Sequence, residues 1–355
     1  MAKILYGVHG TGHGHAVRAL SLARHFAGLG HQFLFVSHGS GAAILGREFP
    51  VEDLPNPETP IRGHKVALAA TIYSSLAVHS RSRQYLRQIL NLMDRFQPDV
   101  TMSDYEYFVP RAARLAGVPC LSTDHQHVIT CCRHPIPWTH YPGYLSMAWS
   151  VKTFFSENSD YLVISFFQPP LKPGVRAKIL PPLLRETVLK RQPAEGDHVV
   201  AYQGYTTFAS FLPFLRAIPS KVMVYGFDTG GVDGNLNFKR NSEAGFLDDL
   251  ASCRYVVCGG SHTLISEALF YGKPVIAFPI KGAFEQYLNS FYLERLGYGQ
   301  YSPGFHPRTE FIPAFEAKLE DLRRRIGLEN FCGNSEIFAL VERFIREKGL
   351  TYDGK

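Results

Sequence analysis

Two adjacent glycines just before a predicted helix form the turn in this chain that is best suited to binding an anion. The turn and the first helical residues read Gly259-Gly260-Ser261-His262-Thr263. Glycines let backbone N–H groups approach a phosphate closely, and the positive end of the helix dipole favours its negative charge. Glu267 lies one helical turn after Thr263, on the same face. Its carboxylate would repel a phosphate, but it can accept hydrogen bonds from a ribose diol.

A second polar pair, Glu285-Gln286, opens the next predicted helix, where it could bind the hydroxyls of a sugar. Phosphate, ribose and sugar partners in that order indicate a nucleotide-sugar site. Two buried strands, at 255–258 and 275–278, must position these residues, and the helix between them ends at Gly272 and Pro274. An ordinary α/β crossover with a glycine turn is the alternative interpretation.

Three histidines crowd a second glycine-rich loop, which joins a predicted strand at 4–8 to a predicted helix at 16–26. The loop reads His9-Gly10-Thr11-Gly12-His13-Gly14-His15. It differs from the G-x-G-x-x-G pattern of dinucleotide-binding folds, and Ser37-His38 stands where such a fold needs an acidic residue for the ribose. NAD binding is therefore disfavoured. The alternatives for the histidines are a helix cap, a solvated loop, or a zinc site that lacks the usual companion spacing.

Polar side chains also follow two later predicted strands. Asp104 ends the strand at 100–104, and the run Asp124-His125-Gln126-His127 follows the next strand. Cys131-Cys132 comes shortly afterwards. Metal binding is an alternative there, although adjacent cysteines are an unusual ligand spacing.

Composition restricts the class of protein. A chain of 355 residues with 45% hydrophobic content favours two globular domains, and no apolar run approaches the roughly 20 residues of a membrane span. Six cysteines without C-x-x-C spacing, and a start that lacks a signal-peptide pattern, predict a cytoplasmic protein. The net charge of +6 suits an anionic ligand. No nucleic-acid-binding motif is recognised, so a nucleic-acid partner is not expected.

Two surface features leave membrane contact open. Arg81, Arg83 and Arg87 crowd one helical stretch, which favours either a solvated basic face or a patch for an anionic acceptor or a membrane surface. Residues 135–155 are rich in aromatic side chains, which suit sugar stacking, a membrane interface or simple core packing. Peripheral contact at the inner face of the membrane is therefore a further expectation.

The glycine-turn segment resembles the donor signature of GT-B glycosyltransferases, most closely the MurG-like families (family 28) and their UDP-glucuronosyltransferase-like relatives. The resemblance rests on the run from Gly259 to Leu269, on Gly272-Lys273-Pro274 and Pro279, and on Glu285-Gln286. It implies an α/β fold of two Rossmann-like domains that face each other across a cleft. It also implies the donor-binding residues, which are Gly204, Tyr205, Thr206, Gly259, Gly260, Ser261, His262, Thr263, Glu267, Glu285 and Gln286.

The N-terminal loop extends this resemblance, since Gly14-His15 matches the Gly-His pair that opens the first helix of those enzymes. In the family this histidine faces the acceptor and is a candidate base. The P-D-x-x-x-x-D stretch that ends at Asp104 is similar to one whose last Asp orients that histidine. His13 is the competing base, because the loop carries one extra residue. Acceptor-side residues implied in the same way are Gly12, Gly14, His125 and His127.

The sequence therefore predicts an acceptor-binding domain at 1–180, a donor-binding domain at 181–333 and a C-terminal helical segment at 334–355 that packs on the first domain. The expected activity is inverting, metal-independent transfer of a sugar from a nucleotide-sugar, most simply a UDP-sugar, to a hydroxyl of a glycan, glycolipid or small molecule. No cofactor is expected, because the nucleotide-sugar is a substrate. A hydrolysing nucleotide-sugar 2-epimerase and a catalytically silent nucleotide-sugar-binding protein are the alternatives.

Overall fold

The computed structural model describes residues 1–203, 211–227, 229–240, 242–302 and 308–352. These residues form two α/β units. The first unit comprises Met1–Thr59, Leu68–Arg185 and Gly333–Lys355, and the second comprises Pro60–Ala67 and Glu186–Cys332. In the described part of the chain, no helix has both the length and the apolar character needed to cross a membrane.

The strands, in chain order, are β1 (Lys3–Val8), β2 (Gln32–Ser37), β3 (Val51–Asp53), β4 (Ile61–Arg62), β5 (Lys65–Val66), β6 (Val100–Asp104), β7 (Cys120–Ser122), β8 (Asp160–Ile164), β9 (Ala177–Leu180), β10 (Val199–Tyr202), β11 (Val222–Tyr225), β12 (Gly231–Asp233), β13 (Leu236–Phe238), β14 (Val256–Cys258), β15 (Val275–Ala277) and β16 (Gly299–Tyr301).

The helices are α1 (His13–Gly28), α2 (Gly39–Leu45), α3 (Leu68–Ser80), α4 (Ser82–Phe96), α5 (Val109–Ala116), α6 (Val128–Cys131), α7 (Tyr141–Phe154), α8 (Glu186–Leu189), α9 (Phe211–Arg216), α10 (Glu243–Ser252), α11 (His262–Phe270), α12 (Phe284–Arg295), α13 (Ile312–Glu316), α14 (Leu319–Ile326) and α15 (Asn334–Glu347). Short 3₁₀ turns lie at Trp138–His140 and Thr309–Phe311.

The sheet of the first unit is parallel throughout, in the order β3-β2-β1-β6-β7-β8-β9. Strand β1 lies between β2 and β6, and the register pairs Val8 with Asp104. Parallel strands end at the same edge of a sheet, so the loop after β1 and the loop after β6 emerge side by side. The His9 backbone N–H donates to the Asp104 carbonyl at 3.0 Å, which fixes the two loops against each other.

The C-terminal helix α15 contributes to the core of the first unit. Its buried Ile337, Val341 and Phe344 belong to the same apolar cluster as Ile4 and Tyr6 of β1. Those three side chains recur at spacings of four and three residues, so one helix face carries them. Burial of that face explains why a segment distant in sequence folds with the N-terminal strands.

The segment 60–67 groups with the second unit, although the sequence-based boundary at 180 places it in the first domain. The reason is backbone pairing over a long sequence distance. Lys65 forms a parallel bridge with Lys281, the Val66 N–H donates to the Lys281 carbonyl at 3.0 Å, and the Lys281 N–H donates to the His64 carbonyl at 3.1 Å.

The sheet of the second unit runs β12-β13-β11-β10-β14-β15-β16, and only the β12–β13 pair among these is antiparallel. Every residue of β14 and β15 is buried, as expected for central strands that helices cover on both faces. Helix α11 connects these two parallel strands, so its N-terminus lies directly after the carboxyl end of β14. Ligands of open α/β sheets bind at such strand ends.

Candidate functional site

His15 and Asp104 are in direct contact in the first unit. The Nδ1 atom of His15 lies 2.7 Å from Oδ1 of Asp104. Asp104 is fully buried at the end of β6, whereas the His15 side chain keeps 15% of its surface exposed. A carboxylate accepts hydrogen bonds, so this contact places the proton of a neutral His15 on Nδ1 and leaves Nε2 as the basic nitrogen. Nε2 lies 3.4 Å from Nε2 of Gln126.

Arg18 is the main site residue that sequence reasoning missed. Its Nε donates to Asp104 Oδ2 at 2.7 Å, and its Nη2 donates to Asp104 Oδ1 at 2.7 Å. The same Nη2 lies 3.3 Å from His15 Nδ1. Burial by itself would lower the pKa of Arg18, but Asp104 raises it, so the guanidinium stays charged. The available signal was an arginine three residues after His15, on a helix whose other inward residues are apolar.

His9 and His38 lie beside this group. The ring of His9 is 5.2 Å from that of His15 and 5.8 Å from that of His38, measured between centroids. Burial, reinforced by the two neighbouring histidines, lowers the pKa of His9 well below the usual value, so His9 is neutral at pH 7. Burial also lowers the pKa of His38, with Glu58 acting in the opposite direction. Gly10 is required here because a Cβ atom would lie 2.1 Å from the His38 carbonyl oxygen.

The loop after Asp104 is held by a buried carboxylate. Tyr105 has a positive φ of 53°, which is uncommon for a residue other than glycine. Glu106 is fully buried and accepts the backbone N–H groups of Phe108 and Val109 at 2.8 and 2.6 Å. Burial raises the pKa of Glu106, while these hydrogen bonds oppose the increase. The loop that follows Asp104 is therefore anchored to the start of α5.

His13, Gly12 and Gly14 lie at the start of α1, as the sequence predicts. Gly12 has a φ of 82°, which a residue with a side chain adopts only with strain, and it precedes the first helical residue. His13 is exposed, and Gly14 is half-buried. Of the two candidate bases, His15 is the one that the structure places against Asp104.

His125 and His127 have internal partners. His125 Nδ1 lies 3.0 Å from the Ile164 carbonyl, and His127 Nδ1 lies 2.7 Å from Asp124 Oδ2. Both side chains are almost completely buried. Burial by itself would raise the pKa of Asp124, but His127 and Ser122 hold it below its usual value. Direct contact of these imidazoles with an acceptor stays a prediction.

The glycine turn of the second unit has the geometry that the sequence predicts. Gly260 has a φ of 84°, and a Cβ atom there would lie 3.0 Å from the Gln286 carbonyl oxygen and 3.0 Å from Ser290 Oγ. A residue with a side chain would therefore be strained at this position. The Asn289 side chain donates to the Gly260 carbonyl at 3.1 Å, so α12 holds the turn in place. Helix α11 begins directly after Ser261, and the first N–H groups of a helix point toward whatever lies in front of it.

The other predicted donor residues surround this turn or lie outside the described residues. Glu267 and His262 are buried on α11, and Thr263 is half-buried. Glu285 is half-buried in the first turn of α12, and Gln286 Oε1 accepts the Ile280 N–H at 3.0 Å. Gly204, Tyr205 and Thr206 belong to the range 204–210, which the structure does not describe.

Clusters that could hold a metal ion are absent from the part of the chain that the structure describes. There, no three histidine, cysteine, aspartate or glutamate side chains come together as a ligand set. Five cysteines are buried thiols outside any disulfide, which are Cys120, Cys131, Cys132, Cys253 and Cys258, and Cys332 is half-buried.

The chain has relatives among known proteins over nearly its whole length. The family model of glycosyl transferase family 1 matches residues 2–319. A glycosyltransferase of Methanosarcina acetivorans is 26% identical over 98% of this chain and 99% of its own length.

Two solved structures resemble the fold over nearly their full length. MurG of Acinetobacter baumannii matches with a TM-score of 0.63 at 14% identity, covering 97% of this chain and 100% of its own. UGT2 of Phytolacca americana, solved with UDP-2-fluoro-glucose and pterostilbene, matches with a TM-score of 0.66 at 11% identity, covering 98% and 99%. These similarities confirm the predicted GT-B fold class. With the family model spanning most of its length, the chain is a glycosyltransferase and belongs to glycosyl transferase family 1.

Proposed function

We propose that this glycosyltransferase moves a sugar from a nucleotide-sugar, most simply a UDP-sugar, to a hydroxyl acceptor with inversion at the anomeric carbon. The observation that carries the proposal is the contact between His15 and the buried Asp104. A hydroxyl is a weak nucleophile at neutral pH, so its attack is accelerated when a base removes the proton in the transition state. His15 presents Nε2 for that purpose, because Nδ1 is committed to Asp104.

The proposed step is a single displacement in which His15 acts as the base. The acceptor oxygen forms a bond to the anomeric carbon, its proton goes to His15 Nε2, and the bond from that carbon to the diphosphate oxygen breaks. The leaving nucleoside diphosphate takes the electron pair. Direct displacement of this kind inverts the anomeric centre. The structure of UGT2 from Phytolacca americana, which has a similar fold, holds UDP-2-fluoro-glucose, and this supports UDP as the first nucleotide to test.

The nucleoside diphosphate that leaves is negatively charged and needs positive charge nearby. In this proposal the second unit supplies that charge without a metal. The turn at Gly259-Gly260 and the N-terminus of α11 direct N–H groups toward a diphosphate placed there. Glu267, one turn further along α11, would accept the ribose hydroxyls. Glu285 and Gln286 at the start of α12 would contact the sugar.

Incubation with a panel of nucleotide-sugars and hydroxyl acceptors, with and without EDTA, tests the proposal. We expect release of free nucleoside diphosphate that depends on the acceptor and survives chelation. Formation of a 2-epimer with free nucleoside diphosphate would favour the epimerase alternative. Binding without any turnover would favour a silent binding protein. Complete loss of activity in EDTA, restored by Mn²⁺, would contradict metal independence.

We also propose peripheral contact with an anionic membrane surface through the first unit. One face of α7 and the turn before it expose four large apolar side chains, which are Trp138, Tyr141, Leu145 and Trp149. Exposed Arg133 and Lys152 flank them, and the sequence has no acidic residue between Asp124 and Glu157. Aromatic side chains beside cations suit the interface of an anionic bilayer.

Vesicle sedimentation tests this contact. We expect the protein to pellet with phosphatidylglycerol vesicles more than with phosphatidylcholine vesicles, and the Trp138→Ala/Trp149→Ala variant to remain in the supernatant. Equal sedimentation of the variant and the unmodified protein would contradict the proposal.

A further inference from the structure

The carboxylate that orients His15 is shared with a buried cation. Asp104 is fully buried and Arg18 is nearly so. Two hydrogen bonds of 2.7 Å join them, one to each carboxylate oxygen. This is the bidentate geometry in which an arginine binds a carboxylate most firmly. His15 approaches the same Oδ1 atom that accepts Arg18 Nη2. The three side chains therefore form one charged group.

We propose that Arg18 is a positioning residue whose charge offsets that of Asp104, so that the carboxylate orients His15 while stabilising the imidazolium less than an unpaired carboxylate would. The proposal rests on the base role of His15 in the proposed function. In an isolated His–Asp pair, the carboxylate does two things together: it selects the tautomer and it stabilises the imidazolium. Because the charge of Arg18 offsets that of Asp104, the carboxylate can still select the tautomer of His15 while it stabilises the imidazolium less.

The distances give the direction of the effect. An opposite charge within about 4–6 Å favours the charged form of a titrating group by about 1–3 pH units, and a like charge opposes it. Asp104 Oδ1 lies 2.7 Å from His15 Nδ1, and Arg18 Nη2 lies 3.3 Å from the same nitrogen. The negative charge of Asp104 and the positive charge of Arg18 therefore act on His15 from similar distances and in opposite directions. His15 also lies in the first turn of α1, where the helix dipole disfavours a positive charge.

The remaining neighbours of His15 add little charge. His9, after β1, is neutral at pH 7 because burial and the adjacent histidines lower its pKa. Tyr105, after β6, presents a ring 6.1 Å away, and Gln126, after β7, presents an amide. His38 touches His9 rather than His15 and faces the half-exposed Glu58 at 3.3 Å. Exposed His13 lies two residues earlier on α1.

The test is a titration of His15 by nuclear magnetic resonance in the ligand-free protein, with the His15 signal assigned from its absence in His15→Gln. In Arg18→Met and Arg18→Gln, we expect His15 to take up its proton about 1–3 pH units higher than in the unmodified protein. Arg18→Gln can still donate to Asp104, which separates loss of charge from loss of a hydrogen bond. Arg18→Lys retains the charge and should shift the midpoint much less. An unchanged midpoint in folded Arg18→Met and Arg18→Gln would overturn the proposal.

A charge-balanced double variant keeps the test decisive if the single variants do not fold. Arg18→Met/Asp104→Asn removes both charges and leaves no unpaired buried ion. If Arg18 cancels Asp104, His15 in this variant should titrate close to its midpoint in the unmodified protein. If Arg18 exerts no such effect, removal of Asp104 should lower the midpoint by about one pH unit or more, and that result would refute the proposal.

The pH dependence of kcat/KM provides the second readout. In the neutral Arg18 variants, the acid limb of the profile should move to higher pH together with the titration midpoint of His15. A purely structural role of Arg18 would instead lower the rate equally at every pH. A shifted titration without any detectable transfer would refute the proposed function and leave the charge effect of Arg18 standing. Transfer with an unshifted titration would refute only the role of Arg18.

Discussion

We expect His15→Ala to lower the rate of sugar transfer by roughly 10²–10⁴-fold, which is the usual effect of removing a general base. The imidazole is partly exposed, hydrogen-bonded through Nδ1 to a buried carboxylate, and therefore oriented with Nε2 available to the acceptor. Affinity for the donor should be almost unchanged, since the proposed donor residues belong to the second unit. Initial rates at saturating donor, with nucleotide affinity from calorimetry, measure both quantities.

His13→Ala is the matched control for this substitution. His13 lies in the same loop, two residues earlier, and its side chain is exposed. We expect His13→Ala to retain most of its turnover. If His13→Ala loses activity while His15→Ala retains it, the roles of the two histidines must be exchanged. If both variants are fully active, neither histidine is the base.

We expect Glu267→Ala to weaken UDP binding by roughly 10- to 150-fold. A carboxylate that accepts both hydroxyls of a ribose makes charge-assisted hydrogen bonds, and their loss costs about 1.5–3 kcal/mol. Glu267 is buried one turn into α11, behind the glycine turn proposed for the diphosphate. Titration calorimetry with UDP gives the dissociation constants directly.

Two further variants separate this binding effect from a loss of stability. Glu267→Gln keeps the size of the side chain and one acceptor oxygen, so its affinity should fall less than that of Glu267→Ala. Glu320→Ala removes an exposed carboxylate from α14 of the same unit and should bind UDP as the unmodified protein does. Unchanged UDP affinity in a folded Glu267→Ala protein would remove Glu267 from the donor site.

The sequence was most informative where its motifs match a known family. The resemblance implied that Asp104 orients His15, and the two side chains do meet. The structural reason is that β1 and β6 are parallel neighbours whose carboxyl ends share one edge of the sheet. The glycines of the turn were predicted because they let backbone N–H groups approach a phosphate, and the structure adds that Gly260 has a positive φ. The return of the C-terminal segment was predicted from resemblance, and the structure assigns α15 to the core of the first unit.

The sequence was least informative about the direction of polar side chains in loops and about long-range pairing. Arg18 reads as an ordinary helix residue until Asp104, which lies 86 positions later, is brought against it. The run from Asp124 to His127 suggests a polar lining of the acceptor pocket. The structure instead buries both histidines, His125 against the Ile164 carbonyl and His127 against the Asp124 carboxylate. Pairing of Lys65 with Lys281 has no local signature at all.

The fate of the donor sugar is the most direct test of inverting sugar transfer. Carbon-13-labelled UDP-α-linked sugars would be incubated with the protein and a pool of hydroxyl acceptors, and the label would be followed by nuclear magnetic resonance and mass spectrometry. We expect the label to appear in a new glycoside whose anomeric configuration is opposite to that of the donor. A glycoside of the same configuration would contradict inversion. Label found only in free sugar, in an epimer or in unreacted donor would contradict transfer itself.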